Sequence, residues 1–185
     1  MRVITGSARG VRLKTPDGQD TRPTAERVKE AAFSMVQFEI EGRRVLDLFA
    51  GTGQLGIEAL SRGAKLAVFV EQRRDAMALV RENLKRTRLE SRAETILGDG
   101  FAYLSRCAPH SFDLILLDPP YAANSLKSAI KFISEIDILS EGGIILCERP
   151  SEGAHPGEFP GLEAGKDHRF GKTILTLYRR SGGAL

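Results

Sequence analysis

Residues 43–63 read "RRVLDLFAGTGQLGIEALSRG". An apolar run from Val45 to Phe49, broken only by Asp47, passes into glycines at 51, 53 and 56, then into a helical apolar pattern that stops at Gly63. A strand, a tight loop and a helix in that order begin a βα unit. The alternation continues downstream. Strand-like "AKLAVFVE", "AETILGD", "FDLILLD" and "GGIILCE" are separated by helix-like "RRDAMALVRENLKRTR", "GFAYLSRCA" and "SLKSAIKFISEI". Elements of these lengths predict a mostly parallel sheet with helices on both faces. The tail departs from the rhythm: "GLEAGKDHRFGKTILTLY" reads as two strands joined at Gly171, an antiparallel hairpin closing a seven-stranded sheet. Ahead of the sheet, "MRVITGSARGVRLKT" reads as a small β-hairpin. A helix follows from an N-cap near Thr24 to about Phe38, with Val28, Ala31, Ala32, Met35 and Val36 on one face. The expected organisation is an N-terminal hairpin-and-helix extension over residues 1–40 and one main domain over 41–185.

Composition is that of an ordinary globular chain: 185 residues, 42% hydrophobic and 28% charged. Cys107 and Cys147 make no C-x-x-C pair, and His110, His155 and His168 stand isolated, so no metal site or catalytic triad is expected. Neither a membrane-length apolar run nor a signal segment is visible, which predicts a cytoplasmic protein. The net charge of +3 is concentrated at the front. Residues 1–29 carry seven Lys and Arg against three acids, including Arg9, Arg12 and Arg22. A basic leader on a near-neutral body suggests a polyanionic partner.

The glycine loop is ambiguous by itself. Gly51-x-Gly53-x-x-Gly56 fits the dinucleotide fingerprint, and Glu71, 20 residues after Gly51, stands where an acid would hold a ribose. An NAD-dependent oxidoreductase is therefore one reading. Asp47 speaks against it, because a carboxylate four residues before Gly51 would repel a pyrophosphate. With Glu71 and Asp99 it ends three successive strands in acids, a rim suited to a cation such as S-adenosylmethionine, with Phe49 beside it on the cofactor side. Asp99 can also simply cap the helix that starts at Gly100.

At the end of the fourth strand stands Asp118-Pro119-Pro120-Tyr121. An exocyclic base amine is a poor nucleophile, since its lone pair is delocalised into the ring. The Asp118 carboxylate and the Pro119 carbonyl could accept its two N–H bonds, localise the lone pair and stabilise positive charge developing on nitrogen. The prolines lock φ, and Tyr121 can stack on the base.

Together these residues resemble the class I S-adenosylmethionine-dependent methyltransferases, and "DPPY" is similar to the (N/D/S)-P-P-(Y/F) motif of their amino-methylating branch. The leader is more specific. "GSARGVRLKTPDGQDTRPTAERVKEAAF" (residues 6–33) resembles that of the bacterial 16S ribosomal RNA (guanine-N2)-methyltransferases of the RsmD type. The resemblance covers nearly the whole chain. Gln54, where a small residue is usual, and Phe170, where tyrosine is expected, are its departures. It implies a Rossmann-like class I methyltransferase fold, S-adenosylmethionine as cofactor and no metal. It also implies a guanine N2 amine in 16S ribosomal RNA, free or in the assembling small subunit, as substrate. Arg22, Pro23 and Thr24 would lie near the active site, with Arg9, Arg12, Arg22 and Thr24 on RNA. A monomer is expected. Adenine-N6 methylation of DNA or RNA stays open, since both amines look alike chemically, and a non-catalytic RNA-binding or assembly factor is a further alternative.

Overall fold

The computed structural model describes residues 1–16, 23–119 and 125–182, with only the helical backbone at residues 23–25. Five parallel strands form the centre: β1 (Arg44–Asp47), β2 (Leu66–Glu71), β3 (Ala93–Leu97), β4 (Phe112–Leu117) and β5 (Leu139–Pro150). The helices between them are α2 (Gln54–Ser61), α3 (Arg74–Thr87), α4 (Gly100–Leu104) and α5 (Ser125–Glu135); α1 (Pro23–Met35) precedes the sheet. Three antiparallel strands follow, β6 (Leu162–Ala164), β7 (His168–Phe170) and β8 (Thr173–Arg180). The order across the sheet is β3-β2-β1-β4-β5-β8-β6, with β7 also paired to β8.

Helices cover both faces, so the central strands are continuously apolar rather than alternating. On one face Val28 and Phe33 of α1, Val36 just after it, Ile57 and Leu60 of α2, and Met77, Val80 and Leu84 of α3 form one core. On the other, Leu104 of α4 packs with Ala129, Ile130 and Ile133 of α5 and with Phe159 and Tyr178. Val3, Ala8 and Leu13 of the leader are buried in the first of these cores. No helix among the described residues is long and apolar enough to cross a membrane.

Three details differ from the sequence reading. The strand expected before Gly171 is split into β6 and β7, which makes eight strands rather than seven. Both pieces pair with the same edge of β8. Between them the backbone swings in at Gly165, whose N–H donates to the Leu177 carbonyl at 2.7 Å, while the Asp167 carboxylate accepts from Thr176 Oγ1 at 2.6 Å. The leader's hairpin is short: an antiparallel bridge between Arg2 and Arg12, flanked by Leu13 N–H donating to the Met1 carbonyl and Val3 N–H to the Val11 carbonyl, at 2.9 and 3.0 Å. Its amides at Ile4 and Thr5 donate instead to the Glu58 carboxylate of α2, at 2.8 and 3.0 Å. Helix α1 begins at Pro23, one residue before the expected N-cap, and ends at Met35, leaving Phe38 exposed. Proline suits a first helical position because the N–H it lacks would have no helical partner.

The chain winds outward from β1 through β2 to β3, then returns to place β4 and β5 on the other side of β1. That reversal opens a crevice beyond the carboxyl ends of β1 and β4, where open α/β sheets bind their ligands.

Candidate active site

A cavity of about 550 Å³ lies in this crevice. The ends of β1, β2 and β4 and the first residues of α4 and α5 line it, and Asp47, Phe49, Gly51, Glu71, Asp99 and Asp118 are among its wall residues. Acids separated by up to 71 positions in the chain thus face one space, because each ends a neighbouring strand.

The loop after β1 explains its glycines. Gly51 and Gly53 are left-handed, with φ of 54° and 78°, a conformation costly for residues with a Cβ. Gly56 is needed for close approach: a Cβ there would meet Phe69 Cε1 at 2.3 Å. The amides of the loop's three glycines are already engaged, that of Gly53 by the Ala50 carbonyl at 2.7 Å. Gly51 N–H donates to Glu71 Oε2 and Gly56 N–H to Asp47 Oδ2, each at 2.9 Å. Glu71 accepts a second bond, from the Arg73 amide at 2.8 Å, so its two oxygens tie the glycine loop to the start of α3.

Asp47 is more enclosed than an open rim acid, being only 1% exposed. Burial pushes its carboxyl up to about 7; the Gly56 amide works against this, and the nearby Asp118 and Glu71 add to it. Asp99 caps α4, accepting from the Ala102 amide at 2.8 Å, while remaining in the cavity wall. The cap and the cavity position are therefore compatible. Phe49 and Phe101 supply apolar wall. Gln54 Oε1 is a buried acceptor without a protein partner in that wall, so the cavity offers a ligand donor a place to bind.

Asp118 follows β4 directly, with Pro119 beside it in the wall. Burial raises the Asp118 carboxyl above the usual carboxylate range. Glu148 lies next to it, since Leu117 of β4 pairs with Cys147 of β5. Its carboxyl is raised too, by burial first and by Asp118 second. The sequence reading passed over Glu148, although it ends "GGIILCE" as Asp47, Glu71 and Asp118 end their own strands. Pro120, Tyr121 and Arg22 lie outside the described residues, as does the Thr24 side chain.

Two further polar residues connect this site to the leader. Buried Glu58 holds the Ile4 and Thr5 amides, pairs with Arg62 Nε at 2.8 Å and lies 3.5 Å from Lys29 Nζ of α1. Buried Asn83 of α3 donates from Nδ2 to the Thr52 carbonyl of the glycine loop and to the Lys14 carbonyl, each at 3.0 Å, and accepts the Lys14 amide at 2.6 Å. Both sit within the apolar stripes of their helices, and that misplacement is the signal that could have found them. Arg9 and Arg12 stand exposed on the leader and are not part of the cavity wall.

A family model described as conserved hypothetical protein 95 matches residues 1–179. The chain belongs to that family. YlbH of Bacillus subtilis is 39% identical over 98% of this chain and all of its own length. The ribosomal RNA small subunit methyltransferase D of Haemophilus influenzae is 36% identical over 80% of this chain and 78% of its own. Among solved structures, yhhF from Escherichia coli superposes with a TM-score of 0.85 at 28% identity, over 97% of both chains. Family, Rossmann-like fold and the acid-walled crevice agree that this family member is a methyltransferase.

Proposed function

We propose that the protein transfers the methyl group of S-adenosylmethionine to the exocyclic N2 amine of a guanine in 16S ribosomal RNA of the small subunit. The observation that carries the reading is a cavity in whose loop the Gly51 and Gly56 amides are already spent on carboxylates, with Asp118 in its wall. A dinucleotide needs those amides for its pyrophosphate. Here Gly51 and Gly56 donate to Glu71 and Asp47, so the loop presents acids and one orphaned acceptor, Gln54 Oε1. A wall carrying these acids suits a ligand with an ammonium and a sulfonium and no phosphate. The leader's resemblance and the name of the Haemophilus influenzae relative support ribosomal RNA as the acceptor.

S-adenosylmethionine, when bound, supplies a methyl group made electrophilic by its sulfonium. Glu71 would hold the cofactor's ribose hydroxyls with the lone pairs its backbone bonds leave open, and Asp99 the adenine amine with its second oxygen. Asp47 supplies negative potential beneath them, and Phe49 apolar surface. Asp118 and the Pro119 carbonyl accept the two N–H bonds of the guanine amine, which leaves the nitrogen lone pair directed at the methyl. As the nitrogen becomes positive, the Asp118 carboxylate stabilises it, then takes the proton that the methylated amine releases. Pro120 would stiffen this elbow and Tyr121 stack on the base. Residues 1–40, with Arg9, Arg12, Arg22 and Thr24, contribute RNA contacts, and 41–185 form the catalytic domain.

Reaction with labelled S-adenosylmethionine and small-subunit particles or 16S RNA, read by nucleoside mass spectrometry, tests the proposal. N2-methylguanosine is expected, with turnover lowered roughly 10²–10³-fold in Asp118→Asn and S-adenosylhomocysteine binding retained. Label on adenine N6, on DNA or on protein overturns the substrate; full activity in Asp118→Asn overturns the mechanism.

A further inference from the structure

Beyond the active site, the outer face of α3 carries a charge pattern that the cofactor reading does not use. Arg74, Arg81, Lys85, Arg86 and Arg88 are all exposed. None of them pairs with an acid among the described residues, whereas the helix's own acids are occupied: Asp75 by Arg73, and Glu82 by Lys14 of the leader. The leader lies against this helix. Arg86 Nε donates to the Arg12 carbonyl at 3.2 Å, and Asn83 grips both backbone groups of Lys14. Arg12 and Lys14, both exposed, are therefore neighbours of the α3 cations on one surface.

We propose that α3 and the leader together form an RNA-backbone docking surface that extends the substrate footprint well away from the reacting base. This rests on the reading of RNA as substrate. Arg73 is in the cavity wall, and α3 runs from there for 14 residues, about 20 Å at 1.5 Å per residue. The cations spread along that length, Arg74, Arg81 and Lys85 on α3 and Arg88 at its C-cap, match a run of phosphates rather than one base. RNA fits better than a membrane. Interfacial helices offer large apolar side chains next to their cations, but of those on α3, Met77, Val80 and Leu84 are buried in the core and Leu79 is half-buried. The chemistry is phosphate contact without base reading, so this surface supplies affinity and orientation while the crevice supplies base choice.

The test compares two charge-neutralised proteins: Arg81→Gln/Lys85→Gln/Arg88→Gln on α3, and Arg106→Gln/Lys127→Gln/Lys131→Gln around α4 and α5 on the opposite face. Affinity for 16S RNA is read by fluorescence anisotropy, independently of turnover, and steady-state methylation follows. In the α3 variant the Kd and KM for RNA should rise about tenfold or more. The slope of log K against log salt should fall by about 2 for three lost phosphate contacts, at roughly 0.7 each. Its kcat, S-adenosylhomocysteine affinity and melting temperature should stay within twofold or two degrees of the parent. The opposite-face variant should match the parent. Equal weakening in both variants, or an unchanged Kd in the α3 variant, overturns the docking surface, as does loss of binding to phosphatidylserine vesicles with RNA binding intact. A parent that binds RNA without methylating it refutes the proposed reaction while leaving the docking surface to be judged on the Kd ratio. A parent that does not bind RNA refutes both.

Discussion

Replacing Gly56 by alanine tests whether the glycine loop is held by close packing. The added Cβ would lie 2.3 Å from Phe69 Cε1, 2.7 Å from Cζ and 3.1 Å from Asp47 Oδ2. Ordinary contact needs about an ångström more, and fully buried Phe69 has nowhere to go. The start of α2 must therefore lift. Overpacking of this kind costs about 1–3 kcal/mol. Lifting also stretches the Gly56–Asp47 bond, and a buried acceptor deprived of its donor costs another 1–3 kcal/mol or so. Because partial relaxation relieves one cost at the expense of the other, a combined loss of about 2–4 kcal/mol is expected. For a domain of this size, that lowers the melting temperature by roughly 4–16 °C. Scanning calorimetry measures the loss, and titration with S-adenosylhomocysteine should show affinity falling at least tenfold as the loop moves. The cause is separable. In a Phe69→Leu background the ring atoms are gone, so Gly56→Ala should cost less there than in the parent. A melting temperature within two degrees of the parent and unchanged affinity would refute the packing argument; equal cost in both backgrounds would refute Phe69 as the obstacle.

Two other outcomes follow from the same geometry. At Gly6, where φ is 89° and a Cβ would fall 1.8 Å from the Ser61 carbonyl oxygen, alanine should pry the leader from α2. RNA methylation should drop sharply while calorimetric S-adenosylhomocysteine binding persists, and parallel loss of both would show that the leader also shapes the cavity. The second concerns pH. Asp47 is pushed up to about 7 by burial, against about 3.9 for an unperturbed aspartate. Between those values the folded state holds a proton that the unfolded state has released, so its contribution is full below the unfolded pKa and declines as pH rises through about 7. Asp47→Asn keeps an acceptor for Gly56 but cannot ionise. Urea melts should therefore favour the parent relative to Asp47→Asn more at pH 5 than at pH 8, and a pH-independent difference would contradict the buried-acid account.

Much of this protein can be read in local pattern. The βα alternation, the glycine turn and the antiparallel tail are visible because strand and helix periodicities are properties of neighbouring residues. The acids that end the strands were visible for the same reason, as each follows its own apolar run. The tertiary structure decided what those acids do. The strand-end pattern suggests ligand groups at Glu71 and Asp99, whereas the fold shows Glu71 bracing Gly51 and Asp99 capping α4. Glu148 became a neighbour of Asp118 only when β5 took its register beside β4. Glu58 and Asn83 found their partners 54 and 69 residues away in the leader, and the leader's hairpin stays short because that carboxylate takes the Ile4 and Thr5 amides. The split of the tail strand likewise depended on Asp167 meeting Thr176 across β8. Periodicity belongs to the chain, whereas a buried hydrogen bond belongs to two segments whose distance and register exist only after packing.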